Sequence, residues 1–281
     1  MTGATGASGR TGPGEMLAGV RSLGFRTDLA LLTLGGSTLE QHDDHVLVRT
    51  PDNPLHWWGN FLLLPRPPAA EETGRWLDRF AAEVPDATHV AFGVDGTDGQ
   101  VADLRGMTAA GLHVEAARVL TATAVHEPPH PNRSADFRRL VDDDDWAQLV
   151  DLRLACKDDR DPVDYREFCE RKATSNRRLV EAGHGAWFGA FEDGRLRTGM
   201  GLLRASEGLA RFQSVETHPD ARGRGLAGTL VHHVSRYGLD ELGAHTLVLV
   251  TDPDSSAIRI YRSVGFVDTE SQLQAERPPA R

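Results

Sequence analysis

The stretch Val215-Glu-Thr-His-Pro-Asp-Ala-Arg-Gly-Arg-Gly-Leu-Ala-Gly-Thr-Leu230 decides how this chain is read. It runs from a strand-like segment through a Gly-rich turn into a helix. Glycine at 223 and 225 lets backbone approach a ligand without a Cβ in the way. A helix starting at Leu226 directs free N–H groups and the positive end of its dipole at the same place. Arg222 and Arg224 add positive charge. Together these features make a cradle for an anion such as a pyrophosphate.

Outward from the cradle, the apolar patterning gives alternating strands and helices. Upstream, Ala186 to Phe191, Leu196 to Ala205 and Leu209 to Thr217 read as three strands, the first two joined by the turn Glu192-Asp-Gly194. Before them lie a strand at Phe137 to Val141, a helix from Asp142 to Cys156 and a second from Val163 to Ala182 that follows Pro162. Downstream, the cradle helix reaches about Tyr237. Thr246 to Val250 is a buried strand, Ser255 to Val264 a helix ended by Gly265, and Phe266 to Leu273 a closing strand.

Two families use a cradle of this kind. Gly223-x-Gly225-x-x-Gly228, with Asp252 near the end of the next strand, formally fits a dinucleotide fingerprint. That fingerprint opens a doubly wound domain, whereas too little chain follows here to supply the remaining βα units, and the preceding strands read as an antiparallel meander. Arg222-Gly-Arg-Gly-Leu-Ala227 fits the other pattern, R/Q-x-x-G-x-G/A. The stretch Ala257-Ile-Arg-Ile-Tyr-Arg-Ser-Val-Gly-Phe266 fits a second one, A-x-x-x-Y-x-x-x-G-F. Through these two motifs, roughly Ala135 to Gln274 resembles the GNAT superfamily of acetyl-coenzyme A-dependent N-acetyltransferases.

The resemblance implies an α/β fold with a mixed, largely antiparallel sheet flanked by helices. It implies acetyl-CoA as co-substrate and a primary amine as acceptor, either a small molecule or a protein N-terminal or lysine amine. Coenzyme A would lie on the backbone of Arg222, Gly223, Arg224, Gly225, Leu226 and Ala227, its pantetheine arm beside Val215 and Thr217. Tyr261 stands at the family's proton donor to the leaving thiolate, and Glu216 at the acidic position of the strand before the cradle. Asp254 stands where the family often has Asn, which weakens one expected coenzyme contact. The chemistry asks for these types: a protonated amine needs a base, and the developing oxyanion needs backbone donors. Direct transfer in a ternary complex is expected, with neither Cys156 nor Cys169 as nucleophile. A non-catalytic acyl-CoA-binding sensor is the alternative from a different class, since a pure binder would not need Glu216 and Tyr261.

The earlier half of the chain looks like a worn copy of the later one. Strands are expected at His45 to Thr50, Trp57 to Leu64, His89 to Val94 and His113 to Thr121, with helices at Glu71 to Ala82 and Gln100 to Ala110. Trp76 to Phe80 sits like Val234 to Tyr237, and Gly111 like Gly265. In place of the Arg-Gly turn stands Pro65-Arg-Pro-Pro-Ala-Ala-Glu-Glu72; prolines remove amide donors and the acids repel phosphate. Met107 stands where Tyr261 stands. Ala124 to Ser134, with three prolines, reads as a linker. The expected organisation is a disordered tail over 1–20, a degenerate GNAT-like domain over 21–123, the linker over 124–134 and a catalytic GNAT domain over 135–281.

Composition sets the outer limits. The 281 residues carry 31 Lys and Arg against 41 Asp and Glu, a formal net charge of −10, which disfavours non-specific nucleic-acid binding. The longest apolar runs are too short to span a bilayer. Two cysteines make no disulfide framework, and the Gly-rich start lacks the pattern of a secretory signal, so a cytoplasmic monomer or homodimer is expected. No metal is expected. His126-Glu-Pro-Pro-His130 spells a zinc motif, but its prolines forbid the helix that motif needs. His42-Asp-Asp-His45 reads as a polar turn between strands. Trp57 and Trp58 read as core. Eleven acids between Asp142 and Glu170 stand against four basic residues and read first as a solvated helical face; the resemblance places these helices beside the acceptor site, where the acids would attract a cationic amine.

Overall fold

The computed structural model describes residues 13–157 and 162–279. One 11-stranded sheet runs through it, with helices on both faces. The N-terminal half supplies helices α1 (Pro13–Gly19) and α2 (Leu23–Leu34). Strands β1 (Thr38–Gln41), β2 (Val46–Arg49) and β3 (Phe61–Leu64) follow, then helix α3 (Thr73–Glu83), strand β4 (Val90–Val94), helix α4 (Arg105–Ala109) and strand β5 (His113–Ala122). The C-terminal half supplies β6 (Asp136–Arg139), helices α5 (Asp143–Ala155) and α6 (Pro162–Glu181), and strands β7 (Gly185–Glu192), β8 (Arg195–Ser206) and β9 (Leu209–Thr217). It closes with α7 (Leu226–Asp240), β10 (Thr246–Thr251), α8 (Ala257–Arg262) and β11 (Val267–Arg277). The spatial order is β1-β2-β3-β4-β11-β5-β10-β9-β8-β7-β6. Among the neighbouring strands of the described residues, β3 with β4 and β9 with β10 pair in parallel and the rest antiparallel.

Alternation along the strands sorts side chains between two layers. Leu62 and Leu64 pack with Trp76 and Phe80 of α3 and Met107 of α4, whereas Phe61 and Leu63 pack with Phe25 and Leu29 of α2. In the C-terminal half, Phe188 and Met200 lie under Leu230 and Val234 of α7. Trp187 lies with Leu149 of α5 and Ala173 of α6. Thus α3, α4, α7 and α8 cover one face, and α1, α2, α5 and α6 the other.

The two halves repeat at the level of individual hydrogen bonds. After α4, Ala110 and Leu112 donate to the Met107 carbonyl at 3.1 and 3.0 Å; after α8, Val264 and Phe266 donate to the Tyr261 carbonyl at 3.1 and 3.2 Å. Gly111 and Gly265 both have positive φ, 82° and 114°, where a side chain is strained. Met107 and Tyr261 are therefore equivalent positions, as the sequence spacing implied.

The halves are also interlocked. β5, made by the N-terminal half, lies between β10 and β11, and β11, made by the C-terminal half, lies between β4 and β5. Each half's closing strand thus completes the other's sheet. The division at the 124–134 segment is a division of the chain, not of the sheet.

Three local expectations change. The structureless tail through residue 20 is too long: residues 13–19 form α1, and Met16 and Val20 are buried against α2; residues 1–12 lie outside the described residues. Trp57 to Gly59 is a 3₁₀ turn rather than strand, because Asn60 accepts from the Thr50 N–H and donates to the Asn53 and His56 carbonyls, curling the chain before Phe61. Trp57 and Trp58 are half-buried. Helix α2 was not anticipated, and strand β1 was implied only by the polar turn that follows it; α2 is capped by the Ser22 hydroxyl, which accepts from the Phe25 N–H at 3.3 Å. The polar turn at His42 to His45 joins β1 and β2 as expected.

Candidate functional site

Strand β9 builds the centre of the site. Its pairing to β8 breaks register between Gly199 and Gly201, and Ser214 takes φ +50° at that bulge. On its other side β9 pairs with β10 only at Leu209, Ala210 and Arg211, then continues alone to Thr217. The two parallel strands therefore part, leaving the backbone edge of β9 open toward β10. In the N-terminal half the equivalent strands stay together: Leu62 to Leu64 pair with Phe92 to Val94, and the Asp95 N–H closes onto the Leu64 carbonyl.

Beyond Thr217 a short 3₁₀ turn at Pro219–Ala221 leads to Arg222, in extended conformation, and then to Gly223 and Gly225, both left-handed with φ of 74° and 75°. Gly225 caps α7 without a side-chain hydrogen bond. Among the described residues, the N–H groups of Gly223 through Gly228 are given to no internal acceptor. A Cβ on Gly223 would meet nothing within 4 Å, whereas one on Gly225 would lie 2.4 Å from the His130 carbonyl oxygen. The cradle therefore faces open space at 223 and is buttressed by the Pro-rich segment at 225. Asn132 fastens that buttress: its N–H donates to the Thr229 hydroxyl at 2.8 Å and its Nδ2 to the Arg224 carbonyl at 3.0 Å.

Glu216 is near the end of β9 with its side chain 19% exposed, and Arg153 Nε of α5 lies 3.3 Å from its Oε1. Oε2 is buried without a partner. Burial raises the carboxyl above the usual range, and Arg153 only partly offsets this. Tyr261 is buried beneath α7 in the cluster against which Val215 packs, and burial alone pushes its hydroxyl up, so it stays protonated. The Thr217 carbonyl accepts from Arg222 Nε at 3.3 Å and from Cys156 Sγ at 3.2 Å. Burial raises the Cys156 thiol, the wrong direction for a nucleophile. Arg224 is turned onto Glu192, Nη2 to Oε1 at 2.6 Å. Leu226 is fully buried, so only its backbone faces the cradle; Ala227 is half-buried. Asp254 is exposed in the turn before α8, with its N–H on Asp252.

Sequence reading missed two participants, Arg153 and Asn132. Arg153 had a signal, since it lies seven residues after Trp146 on the face that also carries Leu149 and Val150, where a charge needs a partner. Asn132 had another: its Oδ1 accepts from the Ser134 and Ala135 N–H groups, as a turn-forming Asn does. His42, His45 and Glu83 are a group able to hold a metal ion, but both His45 nitrogens are held by Asp44 and Glu83 at 2.8 and 2.7 Å. The acids Asp158, Asp159 and Asp161 lie outside the described residues. Among the described residues, no helix is long and apolar enough to cross a membrane.

Comparison with known proteins fits this geometry. Residues 146–266 match the model of the acetyltransferase (GNAT) family. No curated protein matches the sequence significantly. Among solved structures, a conserved protein of unknown function from Staphylococcus epidermidis superposes with a TM-score of 0.66 at 10% identity, covering 87% of this chain and 95% of that one. A GCN5-related N-acetyltransferase from Kribbella flavida gives 0.62 at 15% identity, covering 92% and 98%. A tandem GNAT protein from the clavulanic acid biosynthesis pathway gives 0.55 at 14% identity, covering 96% and 95%. The dinucleotide reading fails, because a sheet with two isolated parallel pairs is not doubly wound. A parted strand pair leading into an unfilled helix N-terminus thus lies within the segment, residues 146–266, that matches the GNAT acetyltransferase family model, and the fold is the one these acetyltransferase structures share.

Proposed function

We propose that the chain is an acetyl-CoA-dependent N-acetyltransferase that acts by direct transfer from the C-terminal half, with the N-terminal half in a non-catalytic role. The observation that carries the reading is the parting of β9 from β10 ahead of the open α7 N-terminus. The residues present fit coenzyme A: unfilled N–H groups at 223–228 suit a pyrophosphate, and the open edge of β9 suits the amide-bearing arm. The bound thioester supplies the activated acyl group. Glu216, deprotonated, takes a proton from the incoming ammonium directly or through one water at its unpartnered Oε2. Tyr261 keeps its proton until a thiolate departs. Cys156 stays a thiol. The N-terminal half has neither feature: β3 and β4 do not part, prolines replace the Gly turn, and Met107 replaces the tyrosine.

A non-catalytic acyl-CoA sensor draws on one observation, the Arg153 guanidinium beside Glu216, which occupies one carboxylate oxygen. The test is titration calorimetry with coenzyme A, followed by thiol release from acetyl-CoA over a panel of amines. One coenzyme A per chain and amine-dependent release lost in Glu216→Gln and Tyr261→Phe is the expected result. Binding without release for any amine means a sensor, and two coenzyme A per chain overturns the non-catalytic role of the N-terminal half.

A further inference from the structure

A cavity of about 590 Å³ opens between the two halves, on the face that carries α2 and α6. Its walls are α2 and the 50–56 loop from the N-terminal half, and α6, Leu203 and Gln213 from the C-terminal half. It adjoins the site. Gln213 lies three residues before Glu216 on β9. The Asn53 side chain reaches the Phe168 carbonyl at 3.5 Å, and the Phe168 ring lies 5.9 Å from the Arg153 guanidinium that pairs with Glu216.

The cavity's polar groups are built for a ligand. Asn53 and Asn176 are 5% and 2% exposed, and Asn53 Oδ1 and Asn176 Nδ2 have no hydrogen-bond partner. Lys172 lines the same wall and makes no hydrogen bond or ion pair among the described residues. Burial, with Arg153 nearby, holds its amine down to about 8. Of the other charged lining groups, Arg171 is held by Glu167 and the Asp52 carbonyl, and Glu170 lies 3.7 Å from Arg166. Asp52 and Arg178 are exposed. The carboxylate that acts on Lys172, Asp28, is itself held by Arg211 at 2.9 Å, so the inner wall offers a half-buried ammonium and the unpartnered Asn176 amide donor without a carboxylate hydrogen-bonded to either.

Among the described residues, several acids of the 142–170 segment are already engaged. Asp142 caps α5, Asp145 is held by both terminal nitrogens of Arg138, Asp143 meets Arg177 and Asp151 meets Arg166. We propose that the acceptor is an amine that also carries a carboxylate or phosphate group, and that this anionic group enters the cavity between the halves, onto Lys172 and Asn176, while the amine extends past Gln213 to Glu216. This rests on the acetyltransferase reading and names its substrate class.

The test compares β-alanine with β-alaninamide, and phosphoethanolamine with ethanolamine, in thiol release from acetyl-CoA. At least tenfold higher kcat/KM for the anionic member of a pair is expected; which pair shows it separates carboxylate from phosphate. The amide and the simple amine have the lower amine pKa and therefore the larger free-base fraction at neutral pH, so the ionisation bias runs against the expectation. Lys172→Met should abolish the preference through KM with coenzyme A affinity unchanged, and Lys172→Arg should restore part of it. Lys172→Met melts no lower than the parent at pH 7, because an amine whose pKa falls on folding penalises the fold at pH values below it. Equal or reversed preference, with coenzyme A bound and thiol released, overturns the cavity assignment and leaves the acetyltransferase reading intact. Failure to bind coenzyme A overturns that reading instead, and a melting-temperature rise with β-alanine but not β-alaninamide then still decides for the cavity.

Discussion

Alanine at Gly225 and at Gly223 should have unequal effects, and the inequality measures how firmly the Pro-rich segment holds the cradle. Both residues sit at φ near 75°, so each alanine carries the left-handed penalty of roughly 1–2 kcal/mol. At Gly223 nothing more is added, since the new Cβ faces open space. At Gly225 the Cβ would lie 2.4 Å from the His130 carbonyl oxygen and 3.3 Å from the Asn132 N–H nitrogen, both backbone atoms. Relief requires the 130–132 segment to retreat by about 1 Å, which strains the two hydrogen bonds from Asn132 to Thr229 and Arg224, each worth about 1 kcal/mol. The total for Gly225→Ala is then about 3–4 kcal/mol, some 2 kcal/mol beyond Gly223→Ala, or roughly a 30-fold difference in an equilibrium constant. Denaturant melts of the two variants read the stability difference, and calorimetry with coenzyme A reads whether the displaced turn also loses affinity. Equal destabilisation within about 0.5 kcal/mol would show that the segment follows the turn freely, and would refute the buttress.

Residues 135–281 expressed alone should fail to give a cooperative melt, because β10 and β11 lose their neighbours in β4 and β5; co-expression with residues 13–123 should restore one, and an independently stable C-terminal half would contradict the interlocked sheet. Tyr261→Phe should leave stability within about 0.5 kcal/mol, since its hydroxyl makes no hydrogen bond among the described residues, while kcat falls on the order of 10²-fold; an unchanged kcat removes the tyrosine from the chemistry. The acid limb of kcat/KM should lie above the usual carboxylate range, because a raised Glu216 pKa leaves the base protonated to higher pH. Arg153→Met, which removes the charge that lowers that pKa, should move the limb higher still, and a downward move would be inconsistent with the pair.

The C-terminal strands and the cradle were legible because their information is local: alternation, a Glu-Asp-Gly turn, glycines before a helix. The equivalence of Met107 and Tyr261 was legible from spacing, and the paired turn hydrogen bonds explain why the spacing was kept. Helix α2 was not legible because it has no single apolar stripe: Phe25 and Leu29 face the sheet while Leu31 meets Leu179 of α6. The strand exchange was hidden for another reason. An apolar alternation shows that β5 and β11 are strands, but pairing partners separated so far in sequence leave no local trace. The spacing of Arg153 from Trp146, Leu149 and Val150 shows that it needs a partner, but only the fold brings Glu216 beside it. The cavity between the halves belongs to neither half's pattern.

The interlocked sheet also dictates an order of events during synthesis. The chain is made from the N-terminus, so β4 and β5 leave the ribosome well before β11 exists to fill the gap between them. Until β10 and β11 arrive, one edge of β4 and both edges of β5 are unsatisfied, and the core of the N-terminal half lacks Leu273 and Ala275. The N-terminal half must therefore wait for the C-terminal one, and its interval of exposure lengthens with any slowing of translation between β5 and β11.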